Sequence, residues 1–251
     1  MVSYVSEKKI ALITGSNKGI GYEVARQLGR RPIHVLVGSR DAARGNEAVK
    51  TLCDEGVSAA AIRIDVTDAQ SIMEAASWID ERHGKLDILI NNAGITGRVF
   101  PAEVLPPPSQ VTVDLMRKVY ETNVFGAVAV TNAMLPLLRK SDSGRIVNMS
   151  SGLGSLTLTS DSRSEFGPSN VMPYQSSKTA LNAITVAYAK ELRDTNIKVN
   201  SADPGFTATD LNNHRGHRTT EQAAAVVVRL ATLSSDGPTG TFQNENGVVA
   251  W

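Results

Sequence analysis

The sequence predicts an α/β protein: one domain, residues 1–251, on a doubly wound parallel sheet of about seven strands with helices on both faces. Three observations carry that prediction. Short runs rich in Val, Ile and Leu alternate with longer segments of helical spacing, as in βαβ units. The runs have few polar interruptions, as expected of strands covered on both faces. The length suits one large core, and neither an internal repeat nor a low-complexity linker divides the chain.

The elements follow in order. The first strand is "KIALIT" (9–14), which runs into the glycine-rich "TGSNKGIG" (14–21) and then the helical "GYEVARQLG". The next two strands are "IHVLVG" (33–38) and "AAAIRID" (59–65). A helix, "DAQSIMEAASWIDERHG", follows, with Trp78 at a core-facing spacing. Strands "KLDILIN" (85–91) and "GRIVNMS" (144–150) come fourth and fifth. The helix "SKTALNAITVAYAKELRD", with Tyr188 read as core, leads to the sixth strand, "IKVNSAD" (197–203), and "GTFQ" (240–243) supplies a seventh at an edge. "PPPSQ" (106–110) and the Ser-, Thr-, Gly- and Pro-rich stretch 152–172 are predicted as surface loops.

Bulk properties narrow the partners. With 26 basic and 25 acidic residues the formal charge is +1, which gives no reason to expect nucleic acid or a membrane surface. No apolar stretch is long enough to span a bilayer, and "MVSYVSEKKIALITG" does not read as a signal peptide. Cys53 is the single cysteine, so no intramolecular disulfide forms, and a reducing, cytoplasmic setting is expected. His214 and His217 in "NNHRGHR" have no cysteine or carboxylate cluster beside them, so they are read as surface or lid residues and no metal is expected.

The glycine turn is the first functional signal, because it stands between a strand and a helix. Gly15 suits the tight turn, Gly19 lets backbone approach a pyrophosphate, and Gly21 permits close packing of the new helix. Free N–H groups and a partial positive charge at the helix start favour phosphate. The second signal is "YQSSK": Tyr174 and Lys178 are four apart and share one helix face.

The spelling of the glycine turn resembles the short-chain dehydrogenase/reductase family, whose members have a Rossmann-type fold. Further motifs agree in the family's order along nearly the whole chain: "NNAG" (91–94), "TNVFG" with Asn123, "VNMSS" with Ser150 and Ser151, "YQSSK", and "DPGFTATD" (203–210). The resemblance implies Asn123, Ser151, Tyr174 and Lys178 as catalytic residues. Ser151 is preferred over Ser150 as the second serine of the pair. Implied cofactor contacts are Gly15, Asn17, Lys18, Gly19, Ile20 and Gly21; Asn92, Ala93 and Gly94; Tyr174 and Lys178; and Pro204, Gly205, Thr207 and Thr209. Asp65 and Val66 resemble the family's contacts to adenine, though Asp65 could instead cap the following helix.

Hydride transfer to a carbonyl carbon builds charge on oxygen, and a proton donor within reach helps. A free phenol has a pKa near 10, and a nearby ammonium is expected to lower it. Tyr174 is therefore the expected acid in reduction and base in oxidation, with Ser151 holding the substrate oxygen. The resemblance adds two roles: Lys178 bonding the nicotinamide ribose, and Asn123 anchoring a water that links Lys178 to solvent.

The cofactor expected is NADPH/NADP, with NADH less favoured. NAD-specific folds usually place an acid after the second strand, whereas "HVLVGSRD" places Ser39 and Arg40 there, with Asp41 one step later. Arg40 and Lys18 suit a 2′-phosphate, while Asp41 keeps NAD open, as a helix cap or a ribose ligand. Ser151 and Tyr174 lie 23 positions apart, a longer interval than in many family members. Monomeric carbonyl reductases of the family carry an insertion there too, so a monomer or small homo-oligomer is expected. The substrate pocket is expected from 152–172 (Leu153, Leu156, Leu158, Phe166, Met172) and 205–220 (Phe206, Leu211, His214, His217). The expected function is an NADPH-dependent carbonyl reductase acting on a small-molecule ketone or aldehyde. An NAD-dependent alcohol dehydrogenase and a non-catalytic nucleotide-binding regulator remain open as alternatives.

Overall fold

The computed structural model describes residues 8–97 and 106–251. The signal-peptide reading rests largely on residues 1–7, outside the described residues.

Strands β1 (Lys9–Ile13), β2 (Ile33–Ser39), β3 (Ala59–Arg63), β4 (Ile88–Asn91), β5 (Arg145–Met149), β6 (Lys198–Ala202) and β7 (Phe242–Asn244) form one parallel sheet. A two-residue β8 (Gly247–Val248) adds an antiparallel edge to β7. The order is β3-β2-β1-β4-β5-β6-β7-β8. The eighth strand is the one departure from the expected count, and it is too short to leave a period-2 pattern. A hairpin creates it, with Gly247 turning at φ 118°.

Helices connect the strands: α1 (Gly19–Gly29), α2 (Ala42–Asp54), α3 (Ala69–His83), α4 (Val113–Tyr120), α5 (Gly126–Leu138), α6 (Leu156–Ser160), α7 (Met172–Glu191) and α8 (Thr220–Ala231). Residues of α1, α2 and α8 pack on one face of the sheet, and those of α3, α5 and α7 on the other. Successive side chains of β1 serve both layers: Ala11 and Ile13 face the first, Ile10 and Leu12 the second. This double burial explains the unbroken apolar runs. Trp78 and Tyr188 pack against the second layer, as expected. The stretch 152–172 is more ordered than a loop, with a 3₁₀ turn at Gly152–Gly154 followed by α6.

Leu12 is fully buried in the central strand. Leu12→Ala is expected to lower unfolding free energy by about 2–5 kcal/mol. Urea denaturation checks this; a loss below about 1 kcal/mol would show that the two layers collapse around the gap.

Parallel strands bring all their carboxyl ends to one edge. The strand order reverses between β1 and β4, and a crevice opens there between the two connections.

Candidate active site

At the crevice, the turn after β1 is fastened to the turn after β4. Thr14 Oγ1 accepts the Asn92 and Ala93 N–H groups at 3.0 and 3.1 Å. Asn92 Nδ2 donates to the carbonyls of Thr14 (2.8 Å) and Gly15 (2.9 Å). The glycines make this possible. Gly15 and Gly19 both have φ of 62°, and a Cβ on Gly21 would stand 2.4 Å from Asn92 Nδ2. Gly21 therefore makes room for the Asn92 amide as well as for the helix.

α1 begins at Gly19 without a side-chain cap, Lys18 being its N-cap in extended conformation. By contrast, Asp41, Asp68, Thr112 and Thr219 cap their helices. The missing Cβ of Gly19 faces open space, with Thr209 Cγ2 at 3.9 Å on the far side. Uncapped N–H groups beside a glycine-lined gap fit a pyrophosphate. Asn17 and Ile20 lie in the same turn, half-buried.

The next stations lie along the crevice. Arg40 is exposed just past β2, and Asp65 and Val66 lie just past β3. Burial works to raise the Asp65 pKa, but hydrogen bonds from Thr67 and the charges of Arg40 and Arg63 outweigh it and hold the carboxyl below its ordinary range. Asp68 caps α3, so Asp65 is free of that duty. Asp41 accepts the Arg44 N–H at 3.1 Å and caps α2, the first of its two expected roles. Lys18 has a side-chain partner of its own. Its Nζ pairs with Asp210 at 2.5 Å, across the crevice from the glycine turn, and His214 Nε2 meets the same carboxylate at 2.9 Å. Asp210 stands where it competes with any phosphate for Lys18.

The catalytic candidates converge beyond this. A π-turn, Glu121–Phe125, joins α4 to α5 and carries Asn123; such bulges commonly mark functional sites. Asn123 is 1% exposed. It accepts the Ile95 N–H (2.8 Å) and donates to the Ile95 carbonyl (2.9 Å) and to Ser177 Oγ (3.0 Å). Ser177 Oγ donates to the Tyr174 carbonyl at 2.7 Å, so it ties Asn123 to α7. Lys178 is 3% exposed and donates from Nζ to the Met149 carbonyl at 2.6 Å. Its Nζ stands 5.5 Å from the Tyr174 ring centroid. A Cβ on Gly94 would be 3.4 Å from Asn123 Oδ1 and 3.5 Å from Lys178 Nζ, so that glycine keeps space open between them.

Ser151 hydrogen-bonds the Tyr174 phenol and accepts the Leu153 N–H at 3.3 Å. Ser150 is 1% exposed with its Oγ buried and without a hydrogen-bond partner, so the second serine is the one bonded to the phenol. The expected effect of lysine on the phenol is corrected. Burial pushes the Tyr174 pKa up to about 12, the Ser151 bond works downward, and the charge of Asp203 adds to the rise. Burial also brings Lys178 down to about 8. The ammonium is spent on a backbone carbonyl of β5, and an anion stands nearer in effect than the cation.

After β6, Pro204 is buried and Gly205 turns at φ 71°. Thr207, 4% exposed, donates to the Pro204 and Gly205 carbonyls at 3.3 and 3.2 Å, and Thr209 follows, half-buried. A cavity of about 450 Å³ opens beside this turn, lined by Leu158, Phe166, Phe206 and His217 among others. Leu153, Leu156, Met172, Leu211 and His214, also expected there, do not line it. Asn244 to Ala250 do, excepting Gly247. The tail lacks an apolar periodicity that would have flagged it. Spacing alone also misses Thr14, Ser177 and Asp203 as supports of the site. Among the described residues no cluster of three or more His, Cys, Asp or Glu could hold a metal ion.

Residues 9–220 match the family model for short chain dehydrogenase. The chain belongs to that family. Short chain dehydrogenases are oxidoreductases acting on CH–OH and C=O groups, and the relatives agree. "Short-chain dehydrogenase/reductase 1" of Saponaria officinalis is 35% identical, over 98% of this chain and 97% of its own. The structure of salutaridine reductase from Papaver somniferum superposes with a TM-score of 0.82 at 31% identity, covering 94% of this chain and 99% of that one. NADPH-bound carbonyl reductase from chicken fatty liver gives a TM-score of 0.82 at 28% identity, covering 97% and 99%. No helix among the described residues of this short chain dehydrogenase is long and apolar enough to cross a membrane.

Proposed function

We propose that the protein is an NADPH-dependent carbonyl reductase, with Tyr174 as its proton donor. One observation carries the reading: Asn123, Ser151, Tyr174 and Lys178 converge from three elements, the π-turn, the turn after β5 and α7, near a cavity walled by Asp203 and Gly205. Gly15, Asn17, Gly19, Ile20 and Gly21 would hold the dinucleotide's phosphates with the start of α1. Arg40, Asp65 and Val66 would take its adenosine end, and Asn92, Ala93, Gly94, Lys178, Pro204, Gly205, Thr207 and Thr209 its nicotinamide half. When bound, the nicotinamide supplies the hydride.

The protein's part is charge and proton control. The Tyr174 hydroxyl donates its proton to the substrate oxygen as charge develops there. Ser151 Oγ donates a hydrogen bond to the same oxygen. Lys178 bonds the ribose, and Asn123 anchors the water through which Tyr174 is re-protonated. Leu158, Phe166 and Phe206 present an apolar wall suited to a ketone or aldehyde. An exposed, unpaired Cys53 suits a reducing cytoplasmic setting.

Asp41 is occupied in capping α2, which favours NADPH over NADH. Lys18 is engaged by Asp210, so the preference rests on Arg40. Arg40→Ala is expected to raise the NADPH dissociation constant about tenfold or more, as loss of a charge-assisted bond implies, and to leave that for NADH unchanged. Fluorescence titration with both cofactors checks this; equal effects on the two would remove the basis for selectivity. The function itself is tested by NADPH consumption with a panel of ketones and aldehydes. Binding of NADPH without turnover of any of them would instead support a nucleotide-binding regulator.

A further inference from the structure

A second cavity lies at the opposite edge of the sheet, where the strands begin. It measures about 330 Å³ and is lined by Lys8, Ile10, His34, Ser58, Arg82 and His83. Ile10 and His34 are neighbours on β1 and β2. Ser58 directly precedes β3, and Arg82 and His83 stand in the last turn of α3. A volume of this order suits a small ligand.

Four basic side chains line this cavity, and among the described residues no acid does. The His34 and His83 rings are 5.4 Å apart, centroid to centroid. His34 Nδ1 shares a 2.9 Å hydrogen bond with Ser58 Oγ. The Arg82 guanidinium lies over the Trp78 ring at 4.7 Å, and the same indole meets the His83 ring edge-on at 5.7 Å. One aromatic side chain therefore holds both. Acids on the adjoining elements are engaged elsewhere or point away. Asp80 pairs with Lys140 at 2.6 Å. Asp87 accepts the Ile10 N–H at 2.8 Å and the Ser141 hydroxyl at 2.6 Å. Glu81 is exposed and lies outside the cavity wall. The carbonyls at the end of α3 account for Arg82 and His83 as helix-end cations. They do not account for Lys8 and His34, which arrive from other segments.

Gathering cations around two half-buried imidazoles is unfavourable without a counter-charge. Burial, then the charges of His83 and Lys8, hold the His34 pKa below its ordinary value, and burial, then Arg82, do the same to His83. His83 Nε2 is shielded from water and has no hydrogen-bond partner among the described residues, which is uncommon for a buried polar atom. A modest turn of that ring would present the nitrogen to an acceptor in the cavity.

We propose that this cavity binds a phosphate group, either as inorganic phosphate or on a small monoester. A tetrahedral dianion has oxygens to meet donors from four separate segments, whereas a planar carboxylate has two. Arg82 offers a planar fork of N–H groups, Lys8 a compact charge, Ser58 a hydroxyl and the imidazoles their ring N–H groups. The site stands apart from the reading of Tyr174, because the crevice lies at the other ends of the strands.

The test is a proton NMR titration of the histidines in the full chain. There are four. His214→Gln and His217→Gln, both at exposed positions, identify two signals and leave His34 and His83 by elimination. Inorganic phosphate is expected to move the His34 and His83 signals together, with a dissociation constant on the order of 1 mM, and to raise both pKa values by about one unit, since a nearby anion favours imidazolium. Arg82→Gln and Lys8→Gln, both at exposed side chains, are each expected to weaken phosphate about tenfold with an unchanged thermal melt. Glycerol phosphate, titrated in parallel, distinguishes the sources: tighter binding of the ester marks a monoester as the ligand, and tighter binding of the ion marks free phosphate. Equal movement in chloride at the same ionic strength is screening alone and overturns the proposal. So do shifts confined to His214 and His217, which put the ion at the crevice side of the sheet. Glu7 precedes Lys8 in the chain, so Glu7→Gln is titrated too. Phosphate that binds this variant and not the wild type would make the chain's own carboxylate the occupant, and the proposal would fall.

Discussion

Tyr174→Phe is expected to lower kcat for carbonyl reduction by roughly 10²–10⁴-fold, the usual contribution of a positioned general acid. Cofactor affinity should change little, because the substitution removes one oxygen and keeps the ring. That ring retains its packing and its position 5.5 Å from Lys178 Nζ; only the hydrogen bond with Ser151 is lost. Thermal stability should therefore stay close to wild type, and a melt run beside the kinetics separates lost chemistry from lost fold. The pH profile carries a second part. Reduction needs the phenol protonated, and with its pKa near about 12 that form persists through neutral and mildly alkaline pH. A decline beginning near about pH 8 would instead report Lys178, which gives up its proton there. A Phe variant retaining more than about a tenth of wild-type turnover would place the proton donor elsewhere.

The parts of this site that were legible in the sequence are those governed by local periodicity. Tyr174 and Lys178 share a helix face because helices repeat every 3.6 residues, and the glycine turn is marked because only glycine takes positive φ freely. The strands were legible because double burial writes continuous apolar runs. What stayed hidden depends on partners far apart in the chain. The Lys18–Asp210 pair joins residues 192 positions apart, and the turn of Lys178 Nζ toward Met149 depends on where β5 ends. Asp41, Asp65 and Asp68 are alike as letters, yet two cap helices and one accepts hydrogen bonds from Thr67 at the crevice. Their sorting follows from where each helix starts, which sequence reading places only to within a few residues.

Lys178→Met should separate function from stability in opposite directions. Methionine has a similar length and no charge, so in the proposed reaction it would leave neither an ammonium for the ribose nor a proton link toward Asn123. Turnover is expected to fall by about 10²-fold or more, with weaker NADPH binding. Stability should move the other way at neutral pH. The folded state pulls the Lys178 pKa from 10.5 to about 8 by burial, so between those values the unfolded chain binds more protons. Wild-type stability from this group consequently rises with pH across that window, and the full cost, about 3 kcal/mol, is present below it. Removing the ammonium lifts that cost but leaves the Met149 carbonyl without its 2.6 Å donor, worth about 1–2 kcal/mol. The variant is expected to be about 1–2 kcal/mol more stable near neutrality. Its advantage should shrink above about pH 8 and reverse by about pH 10.5, where the wild-type amine is neutral in both states. Urea unfolding at a series of pH values checks this. A variant less stable than wild type at neutral pH would mean that the Lys178–Met149 bond outweighs the burial of its charge, and that the lysine holds the fold together as well as the site.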